Sequence, residues 1–153
     1  AFLQPRPEFF APPARPAPRA AAPPSTLAVR DRPALEALQA LMEGDEVWRR
    51  EGLTIGQLAA AVGTPEHRLR RLINDRLGYR NFSVFLNARR IEAASRLLAD
   101  PARAADSVSE IAFGLGYTSL GPFNRAFKEA TGQTPTAFRS RALQGSLPPE
   151  RPS

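Results

Sequence analysis

The fold is decided by one short stretch of the chain, Ile111-Ala112-Phe113-Gly114-Leu115-Gly116. An earlier stretch, Leu58-Ala59-Ala60-Ala61-Val62-Gly63, has the same pattern at an offset of 53 residues. One extra residue then enters the turn of the second copy. At the new offset of 54 residues, Leu69 corresponds to Phe123 and Ile73 to Phe127. A repeat of this period indicates two copies of one supersecondary unit.

Both copies have the same boundaries. Each opens on a pair that fits a capping box, in which two side chains satisfy free backbone N–H groups: Thr54 with Gln57, and Ser107 with Glu110. Gly63 and Gly116 then end a short helix, because glycine tolerates the positive φ of a tight turn. A longer helix follows and ends before Gly78 or Gly132. One copy alone would also suit a plain helical hairpin, but two matched copies favour tandem helix-turn-helix units.

The segments around these units predict an all-α fold of about seven helices. The tandem domain is expected over residues 51–143: a first unit at 53–78, a connecting helix at 81–99, a second unit at 107–132 and a final helix at 134–142. Apolar residues recur at helical spacing along the connecting helix. Its length of about 30 Å compares with about 34 Å between successive major grooves on one side of B-DNA.

The two ends of the chain differ in character. Residues 1–30 hold 8 of the 16 prolines and few large apolar side chains, which predicts a disordered Pro/Ala-rich linker. Leu35, Leu38 and Met42 share one helical face, so residues 31–50 predict a supporting helix running from about Pro33 to Trp48. Its net negative charge indicates that it does not face DNA. Residues 144–153 are expected to form a flexible tail.

Composition narrows the classes of function. The net charge of +6 suits a polyanionic partner, although a solvated surface explains such a charge equally well. The chain has no cysteine and one histidine, His67, which by itself builds neither a metal site nor a catalytic triad. Since a glycine-rich phosphate loop is also missing, we expect no enzyme activity, no cofactor and no metal. No apolar run approaches the roughly 20 residues that span a bilayer, so we expect no membrane contact by this segment.

We expect the second helix of each unit to contact the bases of DNA. These two helices, called the reading helices, span residues 65–77 and 119–131. In the first, Leu69, Leu72 and Ile73 form the buried side, so that the opposite side carries the candidate base contacts: His67, Arg70 and Arg71. In the second, Phe123 and Phe127 belong to the core, and the candidates are Leu120, Gly121, Asn124 and Arg125. Arginine suits guanine and asparagine suits adenine by donor and acceptor geometry. Phosphate contacts are predicted for Arg76, Arg80, Arg89, Arg90 and Lys128.

Three runs of the second unit resemble the C-terminal domain of AraC/XylS-family transcription regulators: Ser109-Glu110-Ile111-Ala112-Phe113-Gly114-Leu115-Gly116-Tyr117-Thr118-Ser119, Phe123-Asn124-Arg125-Ala126-Phe127-Lys128 and Gly132-Gln133-Thr134-Pro135-Thr136-Ala137-Phe138-Arg139. The first unit and the connecting helix match more loosely, and the resemblance covers about residues 53–141. It implies a two-lobed domain whose recognition helices enter successive major grooves, with base contacts at the candidate positions above. Many members carry polar residues where this chain has Leu120-Gly121-Pro122, so we expect the first helix to be the stronger reader.

The resemblance also implies partners. These are double-stranded promoter DNA, RNA polymerase, and a sensor or dimerisation domain upstream of Ala1, joined through the acidic helix at 33–48. The expected location is the cytoplasm. An alternative is that an upstream sensor anchors the full-length protein to the membrane. The alternative is a helical protein-interaction module whose arginine-rich face binds an acidic partner.

Overall fold

The computed structural model describes residues 26–145, so most of the predicted linker and tail lies outside the described residues. Within this range the chain forms seven α-helices and no β-strand, which confirms the all-α prediction. The helices are α1 (Thr26–Glu43), α2 (Ile55–Val62), α3 (Glu66–Arg71), α4 (Phe82–Ala99), α5 (Val108–Gly114), α6 (Leu120–Thr131) and α7 (Pro135–Gln144). Short 3₁₀ turns occur at Val47–Arg49 and Pro101–Arg103.

The described residues divide into two compact units. The first contains residues 26–47 and 53–86, and the second contains residues 48–52 and 87–145. One helix-turn-helix therefore belongs to each unit: α2 and α3 to the first, and α5 and α6 to the second. Helix α4 follows the predicted bounds closely and supplies residues to both units.

The N-terminal helix differs from both predictions made for that part of the chain. Helix α1 begins at Thr26, so residues 26–30 are helical and Pro33 lies inside the helix rather than in its first turn. It ends at Glu43, where Gly44 N–H donates to the Ala40 carbonyl at 2.8 Å. Trp48 belongs to the separate 3₁₀ turn, because Glu46 adopts a φ of 45° and redirects the chain. The predicted apolar face is correct, since Leu38 and Met42 are buried.

Both predicted capping boxes are formed. Thr54 Oγ1 accepts from the Gln57 N–H, and the Gln57 side chain accepts from the Thr54 N–H. The Ser107 and Glu110 pair makes the same reciprocal bonds at the start of α5. Each box satisfies two of the backbone donors that a helix N-terminus leaves free. This local chemistry explains why the two short helices begin where they do.

The capping box of α5 predicts a stability change with pH. Hydrogen bonds from the Ser107 backbone and side chain lower the pKa of Glu110 below its usual value of 4.5. A lowered folded-state pKa adds stability that is fully present above about pH 4.5 and is lost as the pH falls through the folded value. We therefore expect the wild type to lose denaturant resistance on acidification relative to Glu110→Gln, which keeps an acceptor but has no charge. Parallel loss in both proteins would contradict this assignment.

The two units bury the same repeat positions. Leu69 and Phe123, which correspond at the offset of 54 residues, are both completely buried. Ile73 and Phe127 are likewise buried one turn later. In the second unit the aromatic side chains also pack edge to face, with 5.3 Å between the ring centroids of Phe127 and Phe138. Each reading helix is therefore anchored by its apolar side.

Candidate nucleic-acid interface

The first of the two candidate helices combines an α-helix with a π-helical turn. Helix α3 covers only Glu66–Arg71 and continues as a π-helical turn, Leu72–Arg76, in which the Leu77 N–H donates to the Leu72 carbonyl at 3.0 Å. The helical run over 66–76 lies within the predicted bounds of 65–77, and its second half is π-helical. The wider turn keeps Leu72 and Ile73 buried while changing the direction of the residues that follow.

The candidate base contacts of this helix lie on its exposed side. His67, Arg70 and Arg71 are exposed, whereas Leu69 is completely buried. The Arg70 guanidinium forms an ion pair with Glu66 at 2.8 Å, one turn earlier on the same helix. An exposed pair of this kind contributes only a few tenths of a kcal/mol, so a stronger acceptor can replace Glu66. This arrangement leaves a cationic face opposite the apolar anchor.

The second reading helix, α6, is regular over its whole length. It ends at Gly132, whose φ of 76° requires the left-handed region that favours glycine. Gly121, Asn124 and Arg125 are exposed, and Leu120 is half-buried. Because glycine has no side chain, Asn124 and Arg125 carry the hydrogen-bonding capacity of this group of candidates.

The predicted phosphate contacts fall into three groups. Arg80 and Lys128 are exposed. Arg76 and Arg89 each lie near a carboxylate, with 3.7 Å from Arg76 Nε to Asp31 Oδ2 and 3.9 Å from Arg89 Nη1 to Glu92 Oε2. Arg90 forms the third group, because it is buried. The four exposed or half-exposed cations keep their role as predictions.

The phosphate prediction for Arg90 is wrong. Its side chain is only 6% exposed, and its guanidinium donates to the carbonyls of Trp48 at 2.7 Å and Arg50 at 2.9 Å. It also lies over the Tyr117 ring, 5.1 Å from the centroid. Burial lowers the pKa of Arg90, and burial raises the pKa of Tyr117 to about 12 despite the neighbouring positive charge. Arg90 therefore holds the second unit together instead of offering a charge to a ligand.

One arginine of the reading helix was not among the predicted contacts. Arg68 donates to Asp31 Oδ1 at 3.1 Å and to the Arg30 carbonyl at 3.0 Å, both on α1. It shares a cavity with His67 and Arg71. The sequence predicted no role for Arg68, because no local pattern indicates a partner 37 residues earlier.

Metal-ligand clusters and membrane-spanning helices are both absent from residues 29–145. In that part of the chain, histidine, aspartate and glutamate side chains nowhere gather in a group of three or more that could hold a metal ion. Nor does any helix there combine the length and apolar character that crossing a membrane requires.

Comparison with protein families gives a match over more than half of the chain. Residues 58–141 match a helix-turn-helix domain family of the AraC type. Uncharacterized HTH-type transcriptional regulators of Staphylococcus aureus, strains MSSA476 and N315, are 35% identical over 89 residues. That match covers 58% of this chain but only 11% of each relative.

Solved structures give the same fold. An AraC-type DNA-binding transcriptional regulator from Chromobacterium violaceum is 25% identical with a TM-score of 0.61, and the match covers 76% of this chain and 97% of that one. The C-terminal domain of AraT, a response regulator from Geobacillus stearothermophilus, is 25% identical with a TM-score of 0.59. That match covers 79% of this chain and 91% of the AraT domain.

Proposed function

We propose, because this chain belongs to the AraC-type helix-turn-helix family of DNA-binding transcription regulators, that it recognises promoter DNA through two reading helices. The family and the fold are those of a DNA-binding regulator and not of a known enzyme class. In the proposed complex, α3 with its π-helical turn enters one major groove and α6 enters the next. The arginines and Asn124 then contact base edges there.

One observation carries the proposal: each reading helix has exposed hydrogen-bonding side chains within one turn of a completely buried anchor. Leu69 anchors α3, and Phe123 and Phe127 anchor α6. A side chain on an anchored helix keeps its position, which base recognition requires. Arginine can form two parallel hydrogen bonds to guanine, and asparagine can do the same with adenine. The exposed positions thus have the chemistry for direct readout.

The two readers are proposed to be unequal. Helix α3 offers His67, Arg70 and Arg71, whereas α6 offers Asn124 and Arg125 beside a glycine and a half-buried leucine. We therefore expect more of the sequence preference to come from the half-site bound by α3. Arg80 and Lys128 are proposed to contact phosphates, which would add affinity without sequence preference.

The remaining partners concern the whole protein. We propose RNA polymerase as a partner, a sensing or dimerising domain upstream, and α1 as the junction to it. We also propose a cytoplasmic location for the DNA-binding segment. The competing function is that of an interaction module, in which the same arginines bind an acidic protein.

Selection of bound duplexes from a random DNA library tests the proposal directly. With the selected site, Arg71→Ala and Arg125→Ala are each expected to weaken binding by about tenfold to a hundredfold and to relax preference at one base pair. Arg80→Ala should instead weaken selected and competitor DNA alike and flatten the salt dependence by about one unit. Arg96→Ala is the matched control, since its side chain is 71% exposed on α4.

The outcomes separate the two functions. If selection yields no preferred sequence at moderate salt, the interaction-module function gains and the proposal fails. If a preferred sequence emerges but both arginine variants bind it like the wild type, DNA recognition stands and the assignment of these contacts is wrong.

A further inference from the structure

Asp31 of α1 lies between two arginines of the first reading segment. Its Oδ1 is 3.1 Å from Arg68 Nη2, and its Oδ2 is 3.7 Å from Arg76 Nε. The Asp31 side chain is 17% exposed, whereas those of Arg68 and Arg76 are 39% and 40% exposed. The carboxylate is therefore partly enclosed, while both of its cationic partners remain open to solvent.

This cluster borders the proposed reading face. The cavity that contains it is also lined by His67 and Arg71, two of the proposed base contacts. Four arginines and two aspartates line the cavity, which leaves an excess of positive charge. A DNA strand whose bases meet Arg71 would bring its backbone phosphates close to these cations. A phosphate that contacts Arg68 or Arg76 would compete with the Asp31 carboxylate for the same guanidinium N–H groups.

We propose that Asp31 is a built-in competitor of the DNA backbone. In the free protein it pairs with Arg68 and Arg76, and on binding a phosphate replaces it as the partner of both guanidinium groups. This inference rests on the proposed function and adds Arg68 to the phosphate contacts. It also makes α1 a regulator of DNA affinity, since any movement of α1 that withdraws Asp31 would release both arginines.

The energetics of the pairs fit an exchange of partners. Ion pairs with partners this exposed contribute little net stability, so breaking them costs little. Arginine bonds to phosphate are charge-assisted and often paired, which favours the incoming anion over the one carboxylate oxygen that each guanidinium meets in the free protein. In the free protein, the hydrogen bond from Arg68 to the Arg30 carbonyl keeps the Arg68 side chain at the edge of α3.

The test is the DNA affinity of the 153-residue chain after Asp31→Asn, which keeps the shape and removes the charge. We expect about fivefold tighter binding at about 0.1 M salt, because a negative charge next to the phosphate is gone. The gain should be equal for selected and competitor duplexes, and the salt dependence should steepen by about one unit. Asp75→Asn is the matched control, since it removes the same charge from the same cavity without breaking a pair with Arg68 or Arg76.

A double-mutant cycle with Arg68→Gln separates competition from positioning. If Asp31 competes with DNA, Arg68→Gln should weaken binding more in the Asp31→Asn background than in the wild type. If Asp31 merely orients Arg68, Asp31→Asn should weaken binding, and Arg68→Gln should weaken binding more in the wild type than in the Asp31→Asn background. That result would overturn the inference. Equal gains from Asp75→Asn would also overturn it, because they would show a general charge effect. Thermal melts establish that the variants fold, and the wild-type preference for the selected duplex reports separately on the proposed function.

Discussion

Gly116→Ala is expected to lower the free energy of unfolding of the second unit by about 4 kcal/mol, the largest effect of any change considered for this chain. Gly116 has a φ of +95°, a conformation that costs an alanine about 1 kcal/mol or more. A Cβ atom there would also lie 2.6 Å from the Arg49 carbonyl oxygen and 2.7 Å from Arg90 Nη2. Neither atom moves freely, because the Arg49 oxygen belongs to the backbone and Arg90 Nη2 donates to the Arg50 carbonyl.

The repeat supplies an internal control for this prediction. Gly63 is the equivalent residue of the first unit, with a φ of +79°, but a Cβ atom there would meet nothing within 4 Å. Gly63→Ala should therefore show only the conformational cost of about 1 kcal/mol. Chemical denaturation measures both losses: circular dichroism follows the helices of both units, and the fluorescence of Trp48, the single tryptophan, follows the second unit. Equal losses for Gly63→Ala and Gly116→Ala would contradict the role of the Arg49 contact.

Arg90→Met is expected to cost the second unit about 3 kcal/mol. Methionine can fill much of the volume of the arginine stem, but it donates no hydrogen bond. The Trp48 carbonyl would then lose its 2.7 Å donor in a buried environment, and the Arg50 carbonyl would lose its 2.9 Å donor. The contact with the Tyr117 ring would lose its positive charge as well.

Arg96→Met on the same helix is the matched control, because its side chain is 71% exposed and its carboxylate partner is 3.9 Å away. It should change stability by less than about 0.5 kcal/mol. Arg90→Lys should recover only part of the loss, since a single ammonium group cannot reproduce the fork that reaches both carbonyls. A denaturation midpoint for Arg90→Met close to that of Arg96→Met would show that the two hydrogen bonds contribute little.

The features that could be predicted are those whose physical cause lies within a few residues. A capping box needs two side chains three positions apart, and both boxes were predicted and are formed. The apolar anchors follow from helical spacing, so the burial of Leu69, Phe123 and Phe127 was predictable as well. The same spacing indicated which side of α3 and α6 is exposed.

The predictions from the sequence failed where contacts between distant residues override the local sequence pattern. Pro33 is a common first-turn residue, yet α1 continues upstream of it. Around Leu72, the backbone widens into a π-helical turn that no residue pattern indicated. Arg90 resembles its neighbour Arg89 in sequence, but its partners Trp48 and Arg50 lie 42 and 40 residues earlier.

The sequence by itself determined the family, the tandem helix-turn-helix units and the exposed faces of α3 and α6, because periodicity, capping and glycine turns are encoded locally. Only the tertiary structure decided which arginines remain available to a ligand. A guanidinium has the same charge at Arg71, Arg68 and Arg90, but what it can bind depends on the acceptors that the fold brings to it. Arg71 stays exposed, Arg68 meets Asp31, and Arg90 is enclosed with two backbone carbonyls. Long-range packing, which sets both the acceptors and the dielectric around each charge, made that distinction.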